Sequence, residues 1–431
     1  MKTLIQKGRL VDPANSLDGK YDVLIVDDKV EEVAPEISVE KISNLDQVID
    51  ASGKVIMPGF IDLHVHLREP GFEYKETIES GTRAAARGGV TSICPMPNTK
   101  PVIDSAERVA DLLNRAKDAP VHVLPIGAVT IGQEGKQLAD IEGMKKAGAV
   151  ALSEDGKSVM DTLVFRKGMQ EAARVGIPMF SHCEDKSLVA GGVMNAGAKA
   201  EELGLPGITN AVEDVIVARD IIMSKETGAR LHLCHCSTAD SAVLMKLAKE
   251  QGLDVTAEVC PHHFTMSDDE ITEDDGRFKM NPPLRSRSDV QALKEALRDG
   301  VMDVISTDHA PHGTEEKAQT MLKAPFGIVG LETSFALSYT ELVLGGYLTL
   351  GGLVEKMSVN PAKVLDLPKG NLAPGSIADL VIADIETAYT IDSSQFVSKG
   401  KNTPFDGKEV KGRIEKTFVD GKLVYDAANM T

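Results

Sequence analysis

The first ~55 residues alternate apolar and polar positions in short runs, as from Tyr21 to Val26, and the Asp27-Asp28-Lys29 break predicts a tight hairpin. The last ~60 residues share this habit: IADLVIADI reads as a strand, and Asp420-Gly421 between two alternating runs is a strong two-residue hairpin signal. Between these ends the period changes. Short β-branched runs alternate with longer stretches of helical spacing, the pattern of repeated βα units and a parallel sheet. Eight strands are predicted, at 60–65, 90–94, 121–126, 148–152, 177–181, 230–234, 254–259 and 302–306. Eight is the number that closes a barrel.

The expected fold is therefore α/β: a (β/α)8 TIM-type barrel over 57–366, with a small β-domain built from both chain termini, 1–56 and 367–431. The helices have recognisable ends. One is expected to start with Thr209 as N-cap, to run through Val212, Ile216, Val217 and Ile221, and to stop at Gly228. Another should start near Ser288 and stop at Gly300.

Composition narrows the function. With 65 acidic against 47 basic residues, a net charge of -18 repels a phosphate backbone, so nucleic acid is not an expected partner. No signal-peptide pattern opens the sequence, and no apolar run reaches the roughly 18 residues of a membrane span, so a soluble cytoplasmic protein with no membrane association is expected. Five cysteines, an odd count without an export signal, argue for reduced thiols.

Polar residues fall where a barrel does its chemistry, at the C-terminal ends of strands. In IDLHVHLREPG, positions 61–71, period two puts Asp62, His64 and His66 on one face and Leu63 and Val65 on the other. Later strands run out into SEDG, SHCED, HLCHCS and STDHAPH, delivering Asp155, His182, His235 and Asp308. Four histidines and two carboxylates exceed the needs of one tetrahedral zinc, whereas two metals sharing a carboxylate bridge use them all. Zinc suits this donor set best, and manganese, cobalt or iron fit the same geometry.

With HVHLREPG, STDHAPH and GNLAPGSIADLVI in hand, the chain resembles the amidohydrolase superfamily, and within it the bacterial class I dihydroorotases, over nearly its whole length. The resemblance implies reversible cyclisation of N-carbamoyl-L-aspartate to (S)-dihydroorotate and water, a step of de novo pyrimidine (UMP) biosynthesis, with two zinc ions per subunit. It implies that His64, His66 and Asp308 hold one zinc, that His182 and His235 hold the other, and that Asp155 bridges them. Asp308 is then the catalytic group that takes a proton from the attacking water and passes it to the leaving nitrogen. Many relatives bridge with a carbamylated lysine instead; the nearest candidate here is Lys157, beyond the strand, so Asp155 is preferred.

Arg68, two residues past the second histidine, is placed to pair with a substrate carboxylate. By resemblance, Asn98 and His312 complete the carboxylate pocket, Asn281 with Phe326 and Gly327 holds the ring, and His66 also touches substrate. The charged segment 311–326 is expected to be a mobile loop with few apolar anchors. Strand alternation turns Cys234 and Cys236 away from His235 as packing thiols; His232 and His122 are read as structural, and His262 and His263 as equally well structural or supporting the site. A homodimer is expected, and association with aspartate transcarbamoylase is one further partner the resemblance raises. The competing readings are another cyclic amidohydrolase, such as a hydantoinase or allantoinase, and a non-catalytic assembly partner.

Overall fold

The computed structural model describes residues 1–429. One eight-stranded sheet is drawn from both ends of the chain: Lys2–Asp12, Leu17–Val26, Lys29–Ala34, Gln47–Asp50 and Val55–Pro58 from the start, and Leu380–Asp384, Arg413–Val419 and Lys422–Asp426 from the end. The seam is an antiparallel pairing in which Ile56 faces Ile382. Both expected hairpins form. Asp27 turns at φ 53°, and Asp420 and Gly421 at 49° and 69°, the left-handed backbone that two-residue hairpins need. Ile5, Leu10, Val23, Ile56, Leu380 and Phe418 bury the inner face of this sheet.

Between the ends every strand pairing that leads to the site is parallel. Phe60–Val65 pairs with Val90–Pro95, which pairs with His122–Val123. Ile126–Ala128 then pairs with Ala151–Ser153, followed in order by Met179–Ser181, Leu231–Leu233, Val255–Val259 and Val304–Ile305. A parallel bridge between Val65 and His309 sets the last of these segments against the first. Helices pack outside them, with Val109, Leu112, Met169, Val217, Met245 and Leu293 in one continuous core.

Several expectations shift, each for a local reason. The third strand breaks at Leu124-Pro125: the Leu124 N–H still reaches Ile93, but Pro125 has no N–H to give, and its carbonyl instead accepts from Val150 of the next unit. The fourth starts at Ala151 rather than 148, because Gly148 at φ 113° ends the helix Ile141–Ala147. The helix Ala211–Thr227 has Asn210 rather than Thr209 at its N-cap position, with no side-chain cap hydrogen bond because the Asn210 amide donates to Asp289, and it stops at Gly228 as expected. The helix Arg287–Arg298 begins under Ser286, whose side chain accepts from the Asp289 N–H. Pairing in the first strand slips between Asp62 and Val65, so Leu63 packs with Cys94, Phe180 and Cys234 while Val65 joins the helix-side core.

The segment 311–326 is better anchored than expected: Met321 and Ala324 are buried, and the Lys317 ammonium donates to the carbonyls of Lys279, Pro325 and Gly327 at 2.8–3.0 Å. Among the described residues all five cysteines are buried and unpaired, and no helix is long and apolar enough to cross a membrane.

Candidate metal centre

The six residues expected to hold metal converge. His64 Nε2 lies 3.2 Å from Asp155 and 3.5 Å from Asp308. His66 Nε2 lies 3.1 Å from Asp308 and 3.5 Å from the second oxygen of Asp155. Across the site, His182 Nδ1 is 3.4 Å and His235 Nε2 3.9 Å from the first Asp155 oxygen, and these two nitrogens are 2.8 Å apart. Asp155 thus stands between two pairs of imidazoles. Lys157 is exposed and reaches only toward the Gly132 carbonyl, so it is not part of the cluster.

Backbone strain aims these side chains. Arg68, His235 and Asp308 all have positive φ, at 62°, 35° and 48°. A left-handed backbone at a residue other than glycine costs about 1–3 kcal/mol and persists only where the surroundings impose it. The turn at His235 also breaks the alternation expected of its neighbours. Cys234 does not face away from the site; its sulfur lies close to ligand atoms of His64 and Glu258.

The electrostatics fit a bound cation. Four imidazoles and two carboxylates are buried together, and His64 Nε2 has no hydrogen-bond partner although carboxylate oxygens lie near it. Burial opposes charge on His64, but Asp308 and Asp155 raise its proton affinity well above the ordinary histidine value. Burial likewise pushes Asp155 upward, and His64, His182 and His66 outweigh it and hold the carboxyl well below its usual range. Burial, then the neighbouring His182 and His64, depress His235 to about 3, leaving it a neutral lone-pair donor. Burial also opposes charge on His182, but Asp155 and Glu184 raise its pKa to about 10. A site that draws protons onto two imidazoles and keeps its carboxylates ionised satisfies with protons what a divalent ion would satisfy better.

Three of the four imidazoles are fixed from behind, while His235 Nδ1 has no hydrogen-bond partner. His64 Nδ1 meets Glu258 at 2.7 Å, His66 Nδ1 meets Asn98 Oδ1 at 2.9 Å, and His182 Nε2 meets Glu184 at 2.8 Å. Asn98 also donates to Asp155 at 2.9 Å, so it spans a ligand pair as well as lining the pocket. Asp62 accepts the backbone N–H groups of His64 and Thr307, tying the first strand end to the eighth. His232 bridges Thr256 and Glu258, and His263 holds the Pro282 carbonyl beside Asn281, so both support the site from outside it. His122 sits at the far end against Asp379 and Asp420, a structural role as expected.

Glu258 and Glu184 escaped the sequence reading. Glu258 is a lone carboxylate inside an apolar strand, a signal visible only once its parity toward the barrel axis is asked about. Asn402 escaped too, because nothing local distinguishes it. Its amide accepts the His312 N–H at 3.2 Å and donates to the Gly327 carbonyl at 3.0 Å.

A cavity of about 170 Å³ opens over the cluster, and ten of the expected residues line it: His66, Arg68, Asn98, Asp155, His182, His235, Asn281, Asp308, Phe326 and Gly327. His64 lies beneath it, fully buried, and His312 borders it through Phe326. Arg68 is half-buried in the cavity wall and has no carboxylate partner among the described residues; its Nε donates to the Pro311 carbonyl at 3.1 Å. A guanidinium at the cavity wall with no carboxylate of its own is suited to pairing with a carboxylate-bearing ligand.

Known proteins show the family. A family profile described as "Dihydro-orotase-like" matches residues 53–241. The dihydroorotase of Pelotomaculum thermopropionicum is 50% identical over 424 residues, covering 98% of each chain, and that of Syntrophus aciditrophicus is 47% identical over 426 residues, covering 99% of each. Among solved structures, the L-hydantoinase (dihydropyrimidinase) from Arthrobacter aurescens matches with a TM-score of 0.87 at 30% identity, over 98% of this chain and 96% of that one. With up to half its residues shared along essentially its full length, the chain belongs to the dihydroorotase family.

Proposed function

We infer that this chain is a dihydroorotase of the class I type, a cyclic-amide hydrolase that interconverts (S)-dihydroorotate and N-carbamoyl-L-aspartate in de novo pyrimidine biosynthesis. The observation that carries the reading is one cavity joining a histidine–carboxylate cluster to the half-buried guanidinium of Arg68, which has no carboxylate partner among the described residues. The first suits a hydrolytic metal centre; the second suits a substrate with a carboxylate on its ring.

His64, His66 and Asp308 would hold one zinc ion and His182 and His235 another, with Asp155 between them, two per subunit. Bound zinc supplies Lewis-acid polarisation of the amide carbonyl and a water whose pKa falls toward ~7. Asp308, whose Oδ1 is 3.1 Å from His66 Nε2, is the group that accepts the water's proton and returns it to the ring nitrogen as the amide bond breaks. In the cyclising direction the same carboxylate works in reverse. Arg68, Asn98 and His312 take the substrate carboxylate, while Asn281 and the backbone of Phe326 and Gly327 hold the ring.

The eight parallel segments are read as one closed (β/α)8 barrel over 57–366, beside a small domain of 1–56 and 367–431. The enzyme is read as a cytoplasmic homodimer, with aspartate transcarbamoylase as a candidate associate. Hydantoin is the competing substrate, because a hydantoinase shares the fold. Turnover of dihydroorotate, hydantoin and allantoin by the zinc-loaded protein, beside Asp308→Asn and Arg68→Ala and a metal analysis, tests the reading. Dihydroorotate is expected to be the best substrate and Asp308→Asn nearly inactive, by about 10²–10⁴-fold. Faster hydantoin turnover would overturn the substrate, and full activity of Asp308→Asn the proton shuttle.

A further inference from the structure

We propose that Lys75 is a positioning residue: it holds His312 in the tautomer whose Nε2–H lies beside Arg68 Nη2, so that the two N–H groups form a paired donor for the substrate carboxylate. The inference rests on the carboxylate reading of the Arg68 pocket.

Lys75 Nζ lies 3.0 Å from His312 Nδ1 and 3.2 Å from Glu316 Oε1. It is largely buried, and its ammonium sits 5.5 Å from the ring centre of Tyr74. An ammonium has hydrogens only to give, so Nδ1 must be the nitrogen that accepts. The proton of the neutral ring is then on Nε2. The opposite side of the ring demands the same answer independently, because Nε2 lies 2.7 Å from the Phe326 carbonyl, which can only accept.

This tautomer changes the meaning of the neighbouring contact. Arg68 Nη2 is 3.3 Å from His312 Nε2, but both nitrogens now carry hydrogen and cannot bond each other. They stand side by side as donors, while Arg68 Nε is occupied by the Pro311 carbonyl. A carboxylate oxygen arriving beside Arg68 competes with the Phe326 carbonyl for the imidazole hydrogen. Burial, with Arg68, Lys75 and Lys317 around the ring, depresses His312 to about 2, so the ring stays neutral and the pocket's charge stays on the arginine. Without Lys75, Nδ1 loses its donor and faces Glu316 Oε2 at 3.8 Å, an acceptor that competes with the Phe326 carbonyl for the ring proton, so the other tautomer gains population and a bare Nε2 lone pair then faces the incoming anion.

The test uses the full-length, zinc-loaded protein. Lys75→Met is expected to raise KM for dihydroorotate about tenfold with kcat within twofold, the loss of one well-aligned donor to a charged group. Lys75→Arg, which also can only donate, is expected to return KM to within about threefold of the parent. In protein labelled with 15N-histidine, and with His312→Gln used to assign the signal, the parent is expected to show a protonated Nε2 and a bare Nδ1 on His312, and Lys75→Met a mixture. The inference is overturned if KM of Lys75→Met stays within twofold, if kcat falls with KM unchanged, or if Nδ1 is the protonated nitrogen in the parent protein. The last measurement needs no variant of Lys75 to fold. A parent protein that does not turn over dihydroorotate refutes the substrate reading instead, and leaves the tautomer measurement to decide the role of Lys75.

Discussion

His64 gives its Nδ1 hydrogen to Glu258 across 2.7 Å, and the other oxygen of Glu258 meets His232 Nε2 at 3.1 Å. A fully buried carboxylate therefore sits behind the most buried ligand of the cluster and turns the His64 Nε2 lone pair toward Asp155 and Asp308. Glu258→Gln preserves shape but removes the charge that makes the imidazole a better donor. Zinc affinity is expected to fall roughly 10–100-fold, read by competition with a chelator. Unchanged affinity would show that His64 needs no such support.

Asn402 ties the ring-holding backbone to the strand-eight end. Truncating it strands the His312 backbone N–H in the interior, while the Gly327 carbonyl keeps only the Lys317 ammonium. Asn402→Ala is expected to lower stability by about 1–3 kcal/mol, the cost of an unsatisfied buried group, in urea unfolding monitored by circular dichroism. A midpoint equal to that of the parent would mean that water replaces the amide.

Arg68→Lys keeps the charge and loses the fork. Because a carboxylate is matched by two parallel N–H groups, kcat/KM for dihydroorotate is expected to fall by about 1.5–3 kcal/mol, roughly ten- to 150-fold. A variant as active as the parent would make the arginine a general source of charge rather than a geometric clamp.

Asp214 offers a pH test outside the candidate ligand set. Burial, and then the neighbouring Glu213, push its carboxyl up to about 6, although it accepts a hydrogen bond from Thr238. An unfolded aspartate titrates near ~3.9, so between that value and 6 the folded state binds the extra proton. The stability this group contributes is fully present below ~3.9 and is lost as pH rises through 6. Asp214→Asn has no such titration. Its Tm is expected to gain on the parent's steadily from pH 4 to pH 7; a difference that is constant across that range would refute the shift.

The candidate ligand set was legible because strand ends announce themselves: His64 and His66 share parity, and Asp155, His182, His235 and Asp308 each follow a short, largely apolar run. What stood behind the ligands was not. Glu258, Lys75 and Asn402 reach the site through contacts between segments far apart in the chain, 194 residues for His64 with Glu258 and 237 for Lys75 with His312, and no local pattern encodes them; Glu184 stands only two residues past His182, where nothing in SHCED marks it from the other polar residues of the loop. Alternation misjudged Cys234 because His235 leaves the extended backbone, and the third strand divided because a proline cannot serve two neighbours. The hairpins at 27–29 and 420–421 were readable because a left-handed turn selects its residues directly.

The seam between Val55–Pro58 and Leu380–Asp384 has a consequence for biosynthesis. While the ribosome is still making the parallel segments, the strand at 55–58 has an open edge of unpaired N–H and C=O groups, because its partner is more than 300 residues downstream. Such an edge is a template for pairing with another nascent chain. The interval between translating residue 58 and residue 384 is thus the period in which this protein is most exposed to aggregation, and the C-terminal strands end it by closing the sheet.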